Sequence, residues 1–381
     1  MVVTYKCPNC GAAMEFDGES GKLACASCGT RLTVEEYKDT QQATSSAGAM
    51  SEEDPEQAQE GSAEEFDFDG MDLGEDTYTQ AEHGEEPTIQ VQIFKCPSCG
   101  AELMTDEHTV ATVCAYCGNP GMISDRVDGV HSPKAVLPFR ITKEQAVERF
   151  LKWTRHGLLT PSDFTSQNTL EKITGMYVPY WLYDYRVSVD MKARATRSRT
   201  TRRGDMEYTY TDHYNVYRLV DTEFERIPVD ASDRMDDRVM ENLEPYDYKD
   251  MKDFEMGYLS GYVADKYNAS SDDLQGRAKN RAREAAIGVT RSTINGYHTV
   301  QVVDQRVHIQ ERNVDYVMLP VWVLNYRYQG KDYAFTLNGQ TGKLHGRLPI
   351  SKAKMAKWFG IISGLSFVVI MAISLIGGLM V

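Results

Sequence analysis

Apolar and polar positions fall into three regimes along the chain. Between 130 and 350, runs rich in Tyr, Val and Thr recur at 177–196, 207–220, 257–267, 299–310, 316–328 and 331–337. Such runs read as strands. Two stretches switch to helical spacing. The first starts at Thr142, with Gln145 three residues on to complete a capping box, and stops at Gly157. Ala146, Val147, Phe150, Leu151 and Trp153 supply its apolar face. The second covers 272–292, after Ser271, and Asn338-Gly339 with Thr341-Gly342 marks a tight turn. Residues 130–350 are therefore expected to form a β-rich α+β domain.

The other two regimes are extremes. Residues 39–90 are mostly Glu, Gln, Ser and Asp. Such a stretch buries too little apolar surface to offset its ordering entropy, and an acidic disordered linker is expected. Phe66, Phe68, Met71, Leu73 and Tyr78 stand among its carboxylates, an alternation that suits a docking motif. At the other end, Trp358 to Val381 is a run of 24 residues without a charge. As a helix it is about 36 Å long, enough for a hydrocarbon core of about 30 Å. Lys343, Arg347, Lys352, Lys354 and Lys357 precede it. By the positive-inside rule, a single span at the cell membrane then leaves residues 1–357 cytoplasmic and the C-terminus outside.

Charge sharpens the division. The chain has a formal net charge of −15, yet residues 39–90 hold 16 Asp/Glu and no Lys or Arg. The remainder is nearly neutral, so the acidity describes one segment and excludes no anionic partner for the rest.

All eight cysteines stand in Cys-x-x-Cys pairs. Cys7, Cys10, Cys25 and Cys28 form one set, and Cys96, Cys99, Cys114 and Cys117 another, each spaced Cys-x2-Cys-x14-Cys-x2-Cys and displaced by 89 residues. Two residues between ligands let one turn aim both sulfurs at a single ion. Gly11, Gly29, Gly100 and Gly118 follow the pairs and permit the positive φ such turns need. Two four-thiolate zinc ribbons are expected, at 1–38 and 91–126, with two Zn²⁺ per chain; iron satisfies the same ligands. Closed tetrathiolate shells leave no position for a catalytic water.

A second echo lies in the central domain. Val178-Pro179-Tyr180-Trp181-x3-Tyr185-Arg186 matches Leu319-Pro320-Val321-Trp322-x3-Tyr326-Arg327 at an offset of 141, which suggests an internal duplication. The one basic concentration is Lys192, Arg194, Arg197, Arg199, Arg202 and Arg203. It is a candidate surface for anionic lipid or nucleic-acid phosphate, against the plainer reading of a solvated hairpin arm. Gly360-x3-Gly364 and Ser374-x3-Gly378 are small-residue pairs that suit helix dimerisation. Residues 338–343 resemble a phosphate-binding loop but lack its first Gly and its Ser/Thr, and no catalytic residue is assigned.

Tyr5-Lys6-Cys7-Pro8, the second cysteine set, Leu137-Pro138-Phe139, Ile173-Thr174-Gly175-Met176-Tyr177, Asn338-Gly339-Gln340-Thr341-Gly342-Lys343 and the terminal span together resemble a bacterial family. It is the family of transcription-factor-IIB-type zinc-ribbon-containing membrane proteins, sometimes labelled primosomal or helicase-like. The resemblance covers most of the chain outside 39–90. It implies a membrane adaptor in envelope stress, partnered by phage shock protein A or flotillin-like (SPFH) proteins. The expectation is thus a non-enzymatic adaptor that recruits a protein to the membrane, possible as a homodimer. The alternative is a membrane-tethered nucleic-acid binder.

Overall fold

In the computed structural model, the described residues are 5–45, 77–80, 88–105, 114, 116–117, 122–155, 157, 159–328 and 331–378. Tyr5–Lys6 (β1), Ala13–Asp17 (β2), Lys22–Cys25 (β3) and Arg31–Leu32 (β4) form a four-stranded antiparallel sheet, followed by helix α1 (Val34–Ser45). A second, twelve-stranded sheet takes in every later strand among the described residues. Those strands begin with Thr77–Thr79 (β5), Thr88–Lys95 (β6), Glu102–Thr105 (β7), Ile123–His131 (β8) and Ala135–Val136 (β9). Next come α2 (Lys143–Thr154), a single turn α3 (Gln167–Leu170) and the long hairpin β10 (Thr174–Arg203) and β11 (Met206–Asp230). Then follow α4 (Asp237–Leu243), β12 (Lys252–Asp253), β13 (Val263–Asp265), α5 (Ser271–Ser292), β14 (Thr299–Tyr328), β15 (Lys331–Asn338), β16 (Leu344–Gly346) and α6 (Lys352–Gly378).

The chain repeats one unit within this sheet. β9, α2, β10 and β11 correspond to β13, α5, β14 and β15. β10 and β14 pair antiparallel with Val178 opposite Leu319, so the two echo segments meet about a local twofold. β9 runs parallel to β14 (Ala135 opposite Val317), and β13 runs parallel to β10 (Val263 opposite Met176). Side chains follow the same rule. Trp322 Nε1 donates to the Ile141 carbonyl at 2.9 Å, and Trp181 Nε1 donates to the Ala269 carbonyl at 3.0 Å. Each accepting carbonyl directly precedes a helix N-cap, Thr142 or Ser270, and both caps form capping boxes. Both tryptophans are buried and thus hold strand to helix. Ala278, Ala282, Ala286 and Thr290 of α5 are buried at every fourth position, small enough to let the helix lie close on the strands.

Several expected boundaries move. The second helix is capped by Ser270, one residue before the expected Ser271. The strands expected at 299–310 and 316–328 are one strand. A bulge places Asp184 opposite Asn313 but Tyr185 opposite Glu311, so the ladder passes through the polar interval. The run 257–267 is a 3-10 turn, Met256–Leu259, then the short β13, because Ser260 and Gly261 turn the chain between them. Of the linker expected at 39–90, residues 39–45 continue α1, 77–79 form β5 and 88–90 open β6; Phe66, Phe68, Met71 and Leu73 lie outside the described residues. The phosphate-loop look-alike is the β15–β16 turn. Asn338 Oδ1 accepts from the Gln340 and Thr341 N–H groups at 2.9 Å each, and Gly342 has φ +74°.

Candidate metal centres

Each cysteine set closes into a cluster. Within each set the four sulfurs lie within 4.8 Å of one another. Cys7 and Cys28 sulfurs are 3.5 Å apart, and those of Cys10 and Cys25 are 3.6 Å apart. In the second set, Cys96–Cys117 and Cys99–Cys114 are both 3.5 Å. A tetrahedral ion with metal–sulfur bonds of about 2.3 Å needs sulfurs about 3.8 Å apart. The donor set and spacing therefore fit a tetrahedral metal ion in both places.

Local backbone chemistry builds these clusters. The Gly11 N–H donates to the Cys7 carbonyl at 2.8 Å, and the Gly100 N–H donates to the Cys96 carbonyl at 2.8 Å. Gly11, Gly29 and Gly100 have φ of +72°, +75° and +72°, which a side chain rarely tolerates. Without an ion the sulfurs compete for protons. The Thr30 hydroxyl foremost pulls Cys28 down to about 6. The backbone N–H of Ala12 pulls Cys10 down, but the Cys28, Cys25 and Cys7 sulfurs and burial together outweigh it and push Cys10 up to about 12. A cation resolves that competition by holding all four as thiolates.

The two modules are seated differently. The first docks on the turn around Ser260. The Phe16 N–H donates to the Ser260 carbonyl at 2.9 Å, and Ser260 Oγ donates to the Met14 carbonyl at 2.7 Å. Tyr258 OH reaches Glu35 at 3.2 Å, and Lys38 pairs with Glu255 at 2.6 Å. The second module joins the main sheet: Ala264 and Asp265 of β13 pair with Met104 and Leu103 of β7. Arg234 clamps its first turn, donating to the Cys99 carbonyl at 2.9 Å and the Gly100 carbonyl at 2.6 Å. Asp265 accepts from Tyr116 and, at 2.7 Å, from Ser232. Burial foremost pushes Asp265 up to about 6, opposed by those two hydroxyls. Sequence reasoning missed Arg234, Asp265, Tyr258 and Ser260; their partners in the two modules are more than a hundred residues away, and only Tyr116, inside a cysteine pair, carried a local signal.

The six basic residues do not converge on one surface. All lie on β10, where alternation sets Lys192, Arg194 and Arg202 on one face and Arg197, Arg199 and Arg203 on the other. Lys192 pairs with Asp304 at 3.6 Å. Arg197 donates twice to the Gly296 carbonyl, at 2.9 and 2.8 Å, Arg199 lies over the Tyr210 ring, and Arg202 stands opposite Glu207. β14 ends its pairing where Thr299 meets Thr196, so the β10–β11 hairpin continues as a two-stranded arm. That arm starts at the far end of β10 from the apolar helix. Thr174 sits on a line through Val323, Thr336 and His345, and His345 stands seven residues before the first residue of α6. The arm's tip is 29 residues further along the strand, roughly 90 Å of contour.

Among the described residues, α6 is long and apolar enough to cross a membrane, and none of its apolar window is buried. Its root is tied to the body: the Ser351 N–H donates to the Leu159 carbonyl at 2.8 Å, and Lys354 Nζ donates to the Thr160 carbonyl at 2.5 Å.

No family model matches the chain, so the transcription-factor-IIB-type resemblance rests on the motifs that carry it. No solved structure matches either. Over 378 residues, 99 % of each chain, the sequence is 37 % identical to "Uncharacterized protein YdjG" of Bacillus subtilis (strain 168), and the chain belongs to the family of that protein.

Proposed function

We propose that the chain is a non-enzymatic, membrane-anchored adaptor. In this reading α6 spans the cell membrane once, residues 1–357 are cytoplasmic, and both cysteine clusters hold zinc. The body then presents a protein-binding surface at the bilayer. One observation carries it: an unburied apolar helix is rooted on a body braced by two four-sulfur clusters. Four sulfurs saturate a tetrahedral ion, which makes such sites structural rather than catalytic. The cleft between the first module and the central domain has Glu15, Asp17, Cys25, Arg31, Lys143, Glu144 and Tyr262 among its described lining residues, and Cys25 is taken by the first sulfur cluster. Half of the basic cluster is engaged within the chain, which favours a protein partner over nucleic acid.

Phage shock protein A and SPFH proteins are the partners that the family resemblance suggests, in envelope stress. Proximity labelling in the native host should recover a specific membrane-associated protein with the wild type and lose it with a variant lacking α6. Identical neighbours for both would sink the adaptor reading. Elemental analysis should find about two zinc ions per chain; one or none overturns the zinc assignment. A reporter fused after Val381 should lie outside the cytoplasm, and a cytoplasmic signal reverses the orientation.

A further inference from the structure

The short strand β5 has a seat with more chemistry than its length requires. It runs parallel to β14, with Thr77, Tyr78 and Thr79 opposite His308, Ile309 and Gln310. The Tyr78 hydroxyl donates to Glu311 Oε2 at 2.6 Å, and Glu311 is 3 % exposed. Tyr185 OH shares the same carboxylate oxygen at 3.4 Å. Lys279 of α5 stands over the Tyr78 ring, with Nζ 4.2 Å from its centroid. Gln80 then donates to Asp272, in the first turn of α5, at 3.0 Å.

These contacts make a recognition groove between β14 and α5. A strand edge supplies affinity for any extended segment, and the pocket beside it supplies selectivity. Here the pocket asks for a tyrosine. Lys279 favours an aromatic face, and the buried Glu311 carboxylate gains a charge-assisted hydrogen bond from a phenol. A phenylalanine fills the space but withholds the donor, and a serine is too short to reach it.

We propose that this groove docks an extended Thr-Tyr-Thr segment of a partner protein, and that residues 77–80 occupy it in cis as a releasable stand-in. The partner rests on the adaptor reading; the groove's selectivity does not. Three residue pairs make a weak contact by themselves. It persists in cis because tethering sets an effective concentration in the millimolar range. A partner segment that continues the strand pairing further along β14 would displace it.

The test uses the full chain in detergent and a fluorescent peptide with the sequence of residues 71–87. Tyr78→Ala in the chain should raise peptide affinity about tenfold over the wild type, because the stand-in no longer competes. Tyr78→Phe in the chain, which keeps the ring, should raise it by a smaller factor and guards against misfolding of the first variant. Replacing the tyrosine of the peptide with phenylalanine should weaken binding to the Tyr78→Ala chain about tenfold. Adding Lys279→Ala should weaken it roughly threefold. Equal binding to all chains, no binding up to millimolar peptide, or indifference to the peptide hydroxyl overturns the proposal. Peptide binding without a recovered cellular partner sinks the adaptor reading and leaves the groove standing.

Discussion

The two cysteine modules share spacing, turn geometry and sulfur separations, yet they attach to the protein by different physics. The first keeps its own sheet, β1 to β4, and packs on the central domain through the Ser260 turn, Tyr258, Tyr262 and an ion pair, with Met14, Phe16 and Val34 sharing the main hydrophobic core. The second gives its strands to the main sheet and is clamped by Arg234 and Asp265. One sequence pattern therefore encodes the same metal centre twice, while residues far away decide whether the module keeps its own sheet or joins the main one.

The sharpest way to break this comparison is to remove one ligand from each module. Cys7→Ser and Cys96→Ser should each lower bound metal by about half. Structural metal binding supplies on the order of 10 kcal/mol or more to so small a unit, so either module should unfold without it. Only Cys96→Ser should also destabilise the main sheet, because β7 holds the edge of β13. A drop in the main thermal transition of ten degrees or more for Cys96→Ser, with a change of a few degrees for Cys7→Ser, is the expected result. Equal drops would show that both modules are structural parts of the core.

Next in size is a pH effect on the loop that seats the second module. That loop, from Ala231 to Asp236, leaves the sheet at Asp230. Burial foremost pushes Asp230 up to about 6, outweighing the attraction of Arg277 at 3.0 Å. A raised carboxyl pKa means the folded chain binds more protons than the unfolded chain between about 4 and 6. The contribution of Asp230 to stability is thus most favourable below pH 4, falls as pH rises to 6, and is constant above. A shift of this size corresponds to about 3 kcal/mol. The repeat supplies the control, since Asn338 occupies the matching place: Asp230 faces Tyr180 and Asn338 faces Val321. Asp230→Asn should flatten that part of the stability profile in denaturant titrations from pH 4 to 7. Arg277 keeps Asp237 and Glu241, both at 2.9 Å. An unchanged profile would show that Asp230 is ionised in the folded chain throughout.

The difference between the modules also marks what was legible in the sequence. The clusters were, because every ligand lies within 22 residues of the others and the glycines fix the turns. Thr142 with Gln145 announced α2 for the same reason, and the apolar run announced α6. The 178–186 and 319–327 echo was visible, but that the two copies pair with each other was not: register is set by contacts 141 residues apart. Arg234 reads as an ordinary surface cation until β7 and the loop after β11 are brought together. Tyr78 reads as one aromatic in an acidic stretch, and only the fold supplies Glu311 and Lys279. Polar residues whose partners lie far along the chain leave no period or spacing to read.

The smallest effect tests the two seats without disturbing either metal. Arg234→Ala removes two donors from the Cys99 and Gly100 carbonyls. Tyr258→Phe removes one hydroxyl from Glu35 and keeps the ring packed edge-on against Phe16, with centroids 5.3 Å apart. A hydrogen bond to a charged group contributes about 1.5–3 kcal/mol when well placed and less when exposed. Arg234 is partly exposed, so about 1 kcal/mol is expected for it, and a few tenths for Tyr258. The readout is the rate of metal loss to a chelator, which reports how often each module opens. Arg234→Ala should speed release from the second centre about fivefold and leave the first unchanged, whereas Tyr258→Phe should change neither by more than about twofold. If Tyr258→Phe speeds release from the first centre as much as Arg234→Ala does from the second, the first module is held by its seat as tightly as the second. The contrast between separate and shared sheet would then be one of topology alone.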